Sequence, residues 1–188
     1  MCLMRVSSVL RQSLPLLILC GIGEVFAGAF LGHSAEALDM LPGLIVLVPA
    51  LIGLRGNINT TMGSRLGSAA HMGLISISDF WNDEMKENFK ASLILSVSMS
   101  FVAGFLAAGT TFIVGNPSVG IMLKIIVIAV LAGSIAGLAL AFITIAIILY
   151  AFKRGLDPDN VTGPSLSTVG DMITLGCIFG IAFLIGGI

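Results

Sequence analysis

From Ile121 to Phe152 the chain carries a single charged residue, Lys124, and from Met172 to Ile188 it carries none. Runs of that length are enough for the roughly 20 residues a helix needs to cross the hydrocarbon core of a bilayer. The rest of the chain offers little to hide them with. Hydrophobic residues are 57%, charged residues 10%, and mean hydropathy is +1.10, leaving too little polar surface to wrap a soluble globule of 188 residues. In lipid every backbone amide must be satisfied within the protein. The expectation is therefore an all-α integral membrane protein with the lipid bilayer as its first partner. A net charge of −1 provides no basic stripe for phosphates, so nucleic acid is excluded as a partner. Cys2, Cys20 and Cys177 stand far apart, with neither a disulfide framework nor a metal-ligand spacing.

Hydropathy divides residues 1–188 into a single transmembrane domain of five spans, at about 13–32, 41–76, 91–114, 121–152 and 158–187, with no soluble regulatory domain. Arg5 and Arg11 ahead of the first apolar run resemble a signal peptide, but no small-x-small cleavage pattern follows, so that run is read as a true span. The second stretch is too long for one crossing. Pro49, Arg55-Gly56-Asn57 and further glycines predict a broken helix there, continuing as an amphipathic half on Ile58, Met62, Leu66, Ala69 and Met72. The fifth span, with Gly163 and Pro164, is likewise expected to be interrupted. Ser78 to Lys90 reads as a cytoplasmic surface link, and Gly115-Asn116-Pro117 as a tight turn. Gly104 and Ala108, and Gly133 and Gly137, have the four-residue spacing that lets helices approach closely. Arg5, Arg11, Arg55, Arg65, Lys86, Lys90, Lys153 and Arg154 fall on one side of this topology and only Lys124 on the other, which places the N-terminus in the cytoplasm and the C-terminus outside the cell membrane.

The residues with chemistry to offer are few. Asn160, Gly163, Ser167, Asp171 and Thr174 follow at steps of three or four and form one polar stripe on the fifth helix. A carboxylate at membrane depth costs about 2.5 kcal/mol or more on insertion scales and is normally kept for a partner, a wet cavity or an ion. Asp171 with hydroxyls and exposed carbonyls suits a hard divalent cation that keeps most of its water, and a two-fold axis between two copies makes one acid a pair. Hydrogen bonding of Asp171 to Asn57 or a threonine across a helix interface is the plainer alternative. Gly56, Asn57, Thr60 and Thr61 offer amides and hydroxyls beside glycines at the second-helix break, or serve merely as a helix end. Glu24, in the first span, lines the same pathway, pairs with Arg55 or Arg65, or carries a proton. No nucleotide loop, Ser-His pair or intramembrane aspartyl protease pattern is found, so an enzyme is not expected and no catalytic cofactor is called for.

Two stretches resemble the membrane domain of the MgtE-type magnesium channels, and more closely the eukaryotic solute-carrier magnesium transporters. One is Pro49-Ala50-Leu51-Ile52-Gly53-Leu54-Arg55-Gly56-Asn57, continuing through Ser64-Arg65-Leu66, similar to the family's second-helix motif. The other runs from Asp157-Pro158-Asp159-Asn160 through Gly163-Pro164 to Gly170-Asp171, similar to its fifth-helix motif. The resemblance implies a homodimer of five-helix subunits with helices two and five lining a central path. It implies that Asp171 holds the magnesium hydration shell, with Gly163, Ser167, Gly56 and Asn57 beside it. Bacterial members often read Gly-Asn-x-Gly-Asn-Gln where this chain has Gly56-Asn57-Ile58-Asn59-Thr60-Thr61, and they carry soluble amino-terminal and CBS regions for which this chain shows no counterpart.

The function expected is transport of a divalent cation, Mg2+ first, through a pore at a homodimer axis. The alternatives are a proton- or sodium-coupled exchanger using Glu24, and a non-transporting membrane subunit whose polar stripe docks a partner helix.

Overall fold

The computed structural model describes residues 6–75, 80–115, 118–155 and 158–186. Among these residues the regular structure is entirely helical: α1 (Val6–His33), α2 (Ala35–Met40), α3 (Gly43–His71), α4 (Asp83–Gly115), α5 (Val119–Lys153) and α6 (Pro158–Gly186). Five of the six are long and apolar enough to cross a membrane, all but the short α2.

The bundle is built around α5. Its buried residues Ile125, Ile128, Ala129, Ala132, Ala136, Leu140, Ala141 and Ile145 recur at three- and four-residue steps. They face α3, α4 and α6, which pack on three sides of it. So many are alanine or glycine because neighbouring backbones come close: a Cβ on Gly104 of α4 would lie 2.6 Å from the Ala129 Cβ and 3.1 Å from the Ile126 Cα. In lipid, where apolar contact with a neighbouring helix gains little over contact with acyl chains, such close approach is what holds helices together. On the α3 side Leu44, Leu47, Leu51 and Leu66 are fully buried. By contrast α1 is peripheral. It packs chiefly along α6 and leaves Leu17, Ile18, Leu19, Ile22, Val25 and Phe26 exposed.

Three expectations change. First, neither motif helix is interrupted: α3 runs unbroken through Pro49 and α6 through Pro164. A proline deletes one amide hydrogen bond and bends the axis, but the penalty for unpaired backbone in lipid keeps the chain helical on both sides. Ile58, Met62, Leu66 and Ala69 form the buried face of α3, while Met72 is exposed beyond its end. Second, the polar block from Asp83 to Lys90 belongs to α4 and is not a link. Acidic Asp83 and Glu84 sit in its first turn, where the helix dipole favours them. Lys86 pairs with Asp83 at 3.1 Å, and Lys90 with Glu87 at 2.8 Å. Phe80 and Trp81 are exposed at its start, Trp81 stacking edge-on against Phe89. Third, Arg55 lies in mid-α3 and is buried, so it leaves the count of loop cations that oriented the chain. The expected turn at Asn116-Pro117, and Ser78 and Asp79, fall outside the described residues.

The end of α3 has a local cause. Gly73 adopts φ 74°, its amide donates to the Ala70 carbonyl (3.0 Å), and the Leu74 amide reaches back to Ala69 (2.9 Å). That pairing satisfies the last carbonyls of the helix and demands a left-handed residue.

Candidate functional site

α1 and α6 cross where Gly23 meets Thr168. A Cβ built on Gly23 would overlap the Thr168 Cγ2, so the two backbones approach as closely as a glycine allows. The Thr168 hydroxyl donates to the Cys20 carbonyl at 3.4 Å across the same crossing. Glu24 follows Gly23 directly, and Asp171 lies one turn beyond Thr168. The crossing thereby sets two carboxyl groups from different helices near each other. Both side chains are half-buried.

Along α6 the stripe leading to the pair is open: Ser167 is exposed, and nothing lies within 4 Å of where a Gly163 Cβ would be. One turn beyond Asp171 the stripe turns inward. Thr174 is fully buried, and its hydroxyl has no partner. The Asn160 side chain and Asp157 lie outside the described residues. On α3, Asn57 and Thr61 are exposed, and the space where a Gly56 Cβ would project is open. Thr60 is half-buried, with its hydroxyl donating to the Gly56 carbonyl at 2.7 Å. α3 and α6 are neighbours, meeting at Gly63, whose Cβ would lie 2.6 Å from the Thr162 Cγ2. The structure thus brings Glu24 and Asp171 together and sets the two motif helices side by side.

The donor set suits a cation that prefers oxygen. Among the described residues no three His, Cys, Asp or Glu side chains converge. A cation at Asp171, with Glu24 near it, would keep most of its water, as suits Mg2+, which dehydrates reluctantly.

Glu24 does not pair with Arg55, which takes a different place. Its guanidinium is completely buried between α3, α4 and α5, with Nη2 donating to the Ser96 carbonyl (3.0 Å) and the Ser100 hydroxyl (2.5 Å). Gly133 and Gly137 of α5 form the wall against it. Nε and Nη1 have no protein acceptor. Asn59, one turn along α3, is also fully buried and donates to the Arg55 carbonyl at 2.8 Å.

A family described as "MgtE: Divalent cation transporter" matches residues 48–181. The chain belongs to the MgtE family. Among its relatives, solute carrier family 41 member 3 of Mus musculus is 30% identical over 171 residues, covering 86% of this chain and 34% of the relative. Solute carrier family 41 member 2 of Homo sapiens is 33% identical over 175 residues, covering 89% of this chain and 30% of the relative. The chain spans about a third of the length of these relatives.

The MgtE match takes in Asn57 and Asp171 but not Gly23 or Glu24, which stand ahead of it. Sequence reasoning missed the cradle of Arg55: Gly133 and Gly137 were read as generic packing. The signal was present, since a long cation in mid-span and two glycines one turn apart fit together, but nothing in one dimension shows that α5 faces α3 at that level. Gly23 gave no signal at all.

Proposed function

We propose that this MgtE-family chain moves divalent cations, magnesium first, across a membrane, with Asp171 holding the ion's hydration shell and Glu24 as its companion acid. The observation that carries the reading is the close approach of α1 to α6 at Gly23 and Thr168, which sets these two acids near each other beside an open stripe that includes Ser167. In this reading Gly163, Gly56 and Asn57 add backbone and amide oxygens to the site, and Thr60, Thr61, Asn160 and Thr174 line the path to it. A homodimer with a path at its two-fold axis fits a chain whose α3 presents Asn57 and Thr61 outward from a helix of membrane-spanning length. The proposed setting is the cell membrane with the N-terminus in the cytoplasm.

Magnesium uptake by liposomes holding the purified protein tests this directly. Asp171→Asn should abolish uptake, Glu24→Gln should reduce it, and Ser98→Ala, on an exposed part of α4, should leave it intact. Mg2+ at a hundred times its Kd should stabilise the native chain by about 2.7 kcal/mol, and Asp171→Asn should lose that gain. Normal uptake by Asp171→Asn would remove the site. A chain that neither transports nor gains stability with Mg2+ would instead be a subunit that docks a partner helix.

A second reading is a proton- or sodium-coupled exchanger, favoured by the place of Glu24 near Asp171 on the neighbouring helix. Uptake that depends on a pH gradient, and loses that dependence in Glu24→Gln, would select it.

A further inference from the structure

We infer that the buried Arg55 guanidinium is the anchor of a small-anion site, a place for one halide ion held between Arg55 on α3 and the Ser96 hydroxyl on α4. The site is built on α3, α4 and α5, whereas Glu24 and Asp171 stand on α1 and α6, so it does not depend on what those acids bind.

A guanidinium keeps its charge in a protein, and a charge taken out of water is costly unless an opposite charge meets it. Arg55 is completely buried, yet its protein partners are neutral: the Ser96 carbonyl and the Ser100 hydroxyl, both on Nη2. Nε and Nη1 find no acceptor among the described residues. Ser96 stands beside Nη1. A Cβ on Gly137 would overlap Nη1 and lie 2.5 Å from the Ser96 Oγ, so the two groups flank one point and a single ion can bridge them. The Ser96 hydroxyl has no partner, and one turn back along α4 the buried Ser92 hydroxyl has none either. A hydroxyl turns its hydrogen to suit what it meets, and hydrogen bonds to an ionised acceptor are roughly twice as strong as neutral ones. Water in the same place would occupy the donors but leave the charge unpaired.

The walls set the size of the anion. A Cβ on Gly133 would lie 2.6 Å from the Ser100 Cβ and 2.9 Å from Nη2, and Gly104, one turn beyond Ser100, packs against Ala129 and Ile126. Such close walls favour a monatomic halide over a branched oxyanion. The approach lies toward the start of α4, where Asn88, Ser92, Ser96 and Ser100 are buried at four-residue steps. At its outer end the Asn88 amide donates to the Glu84 carbonyl and to the Glu84 carboxylate, each at 3.0 Å.

The test is thermal melting of the full chain in detergent without Mg2+, in sodium gluconate and in sodium bromide at equal ionic strength. Bromide at about ten times its Kd should raise the native melting temperature by roughly 3–6 °C, and the gain should saturate. Ser96→Ala should weaken the apparent bromide affinity about tenfold while melting near the native chain in gluconate. Arg55→Met should show no bromide gain, and Lys86→Met, which removes an exposed cation of α4, should show the full native gain. Should Arg55→Met not fold, Ser96→Ala carries the comparison, together with anomalous scattering from bromide beside Nη1 in crystals of the native chain. A native chain that melts alike in both salts overturns the inference and leaves only water at Arg55. A bromide gain kept by Arg55→Met, or kept at native affinity by Ser96→Ala, overturns it too, as a general effect of the salt. Each of these results is independent of Mg2+ uptake by Asp171→Asn, so the cation site is judged separately.

Discussion

Gly137→Ala is the sharpest probe of the bundle's centre. The new Cβ would overlap the Arg55 Nη1 and lie 2.5 Å from the Ser96 Oγ and 2.7 Å from the Ser96 Cβ. None of these atoms has an easy escape. The Ser96 Cβ is one bond from the α4 backbone, and the guanidinium is held by the Ser96 carbonyl and the Ser100 hydroxyl. Relief needs α4 and α5 to separate or Arg55 to let go. Overpacking of a filled core costs about 1–3 kcal/mol, and losing a hydrogen bond to a charged group about 1.5–3 kcal/mol. The total of about 2.5–6 kcal/mol, at about 2–4 °C per kcal/mol for a chain of this size, lowers the melting temperature by roughly 5–25 °C. Circular dichroism melts in detergent would measure it, with Gly53→Ala and Gly180→Ala as controls whose Cβ positions have no neighbour within 4 Å. Those controls should be neutral or slightly stabilised, since alanine favours a helix over glycine by about 0.5–1 kcal/mol. Ser96→Gly in the Gly137→Ala background should recover part of the loss. If Gly137→Ala melted with its controls, the Arg55 cradle would be wrong.

Arg55→Met should come within about 2 kcal/mol of the native chain, or exceed it, because removing an uncompensated buried charge offsets the lost hydrogen bonds; a loss as large as that of Gly137→Ala in the same melts would show that the charge itself is needed. Leu44→Ala, at a fully buried position of α3, should cost about 2–5 kcal/mol by leaving a cavity, whereas a loss below half a kilocalorie would mean that the α3 face is not packed as described. Gly155→Ala, at φ 64° after α5, should cost about 1–2 kcal/mol from the left-handed backbone alone; chemical denaturation would separate that small loss from the larger ones.

Some of the site was legible before any fold was known. Asp171 stood out because a carboxylate in a run without other charge is costly, and that argument needs no neighbours. Glu24 was marked for the same reason, though its pairing with Arg55 or Arg65 was an equal expectation. The fold class followed from apolar length, while the prolines misled: local chemistry weighs a missing amide bond, but lipid raises the cost of every further broken bond, and α3 and α6 stay whole.

Hydropathy along the chain determined that this protein consists of membrane-length helices with an acid, Asp171, deep in the last of them, since burial in lipid depends on each segment's own composition. Only the tertiary structure decided which groups meet. Arg55 looked like a loop cation and proved to be the centre of three helices; Glu24 reached Asp171 because a glycine ahead of one and a threonine behind the other let two helices touch. Contacts between distant segments depend on which face each helix turns toward its neighbour, and in lipid that choice is made by close fit of small residues more than by any pattern of greasy and polar positions.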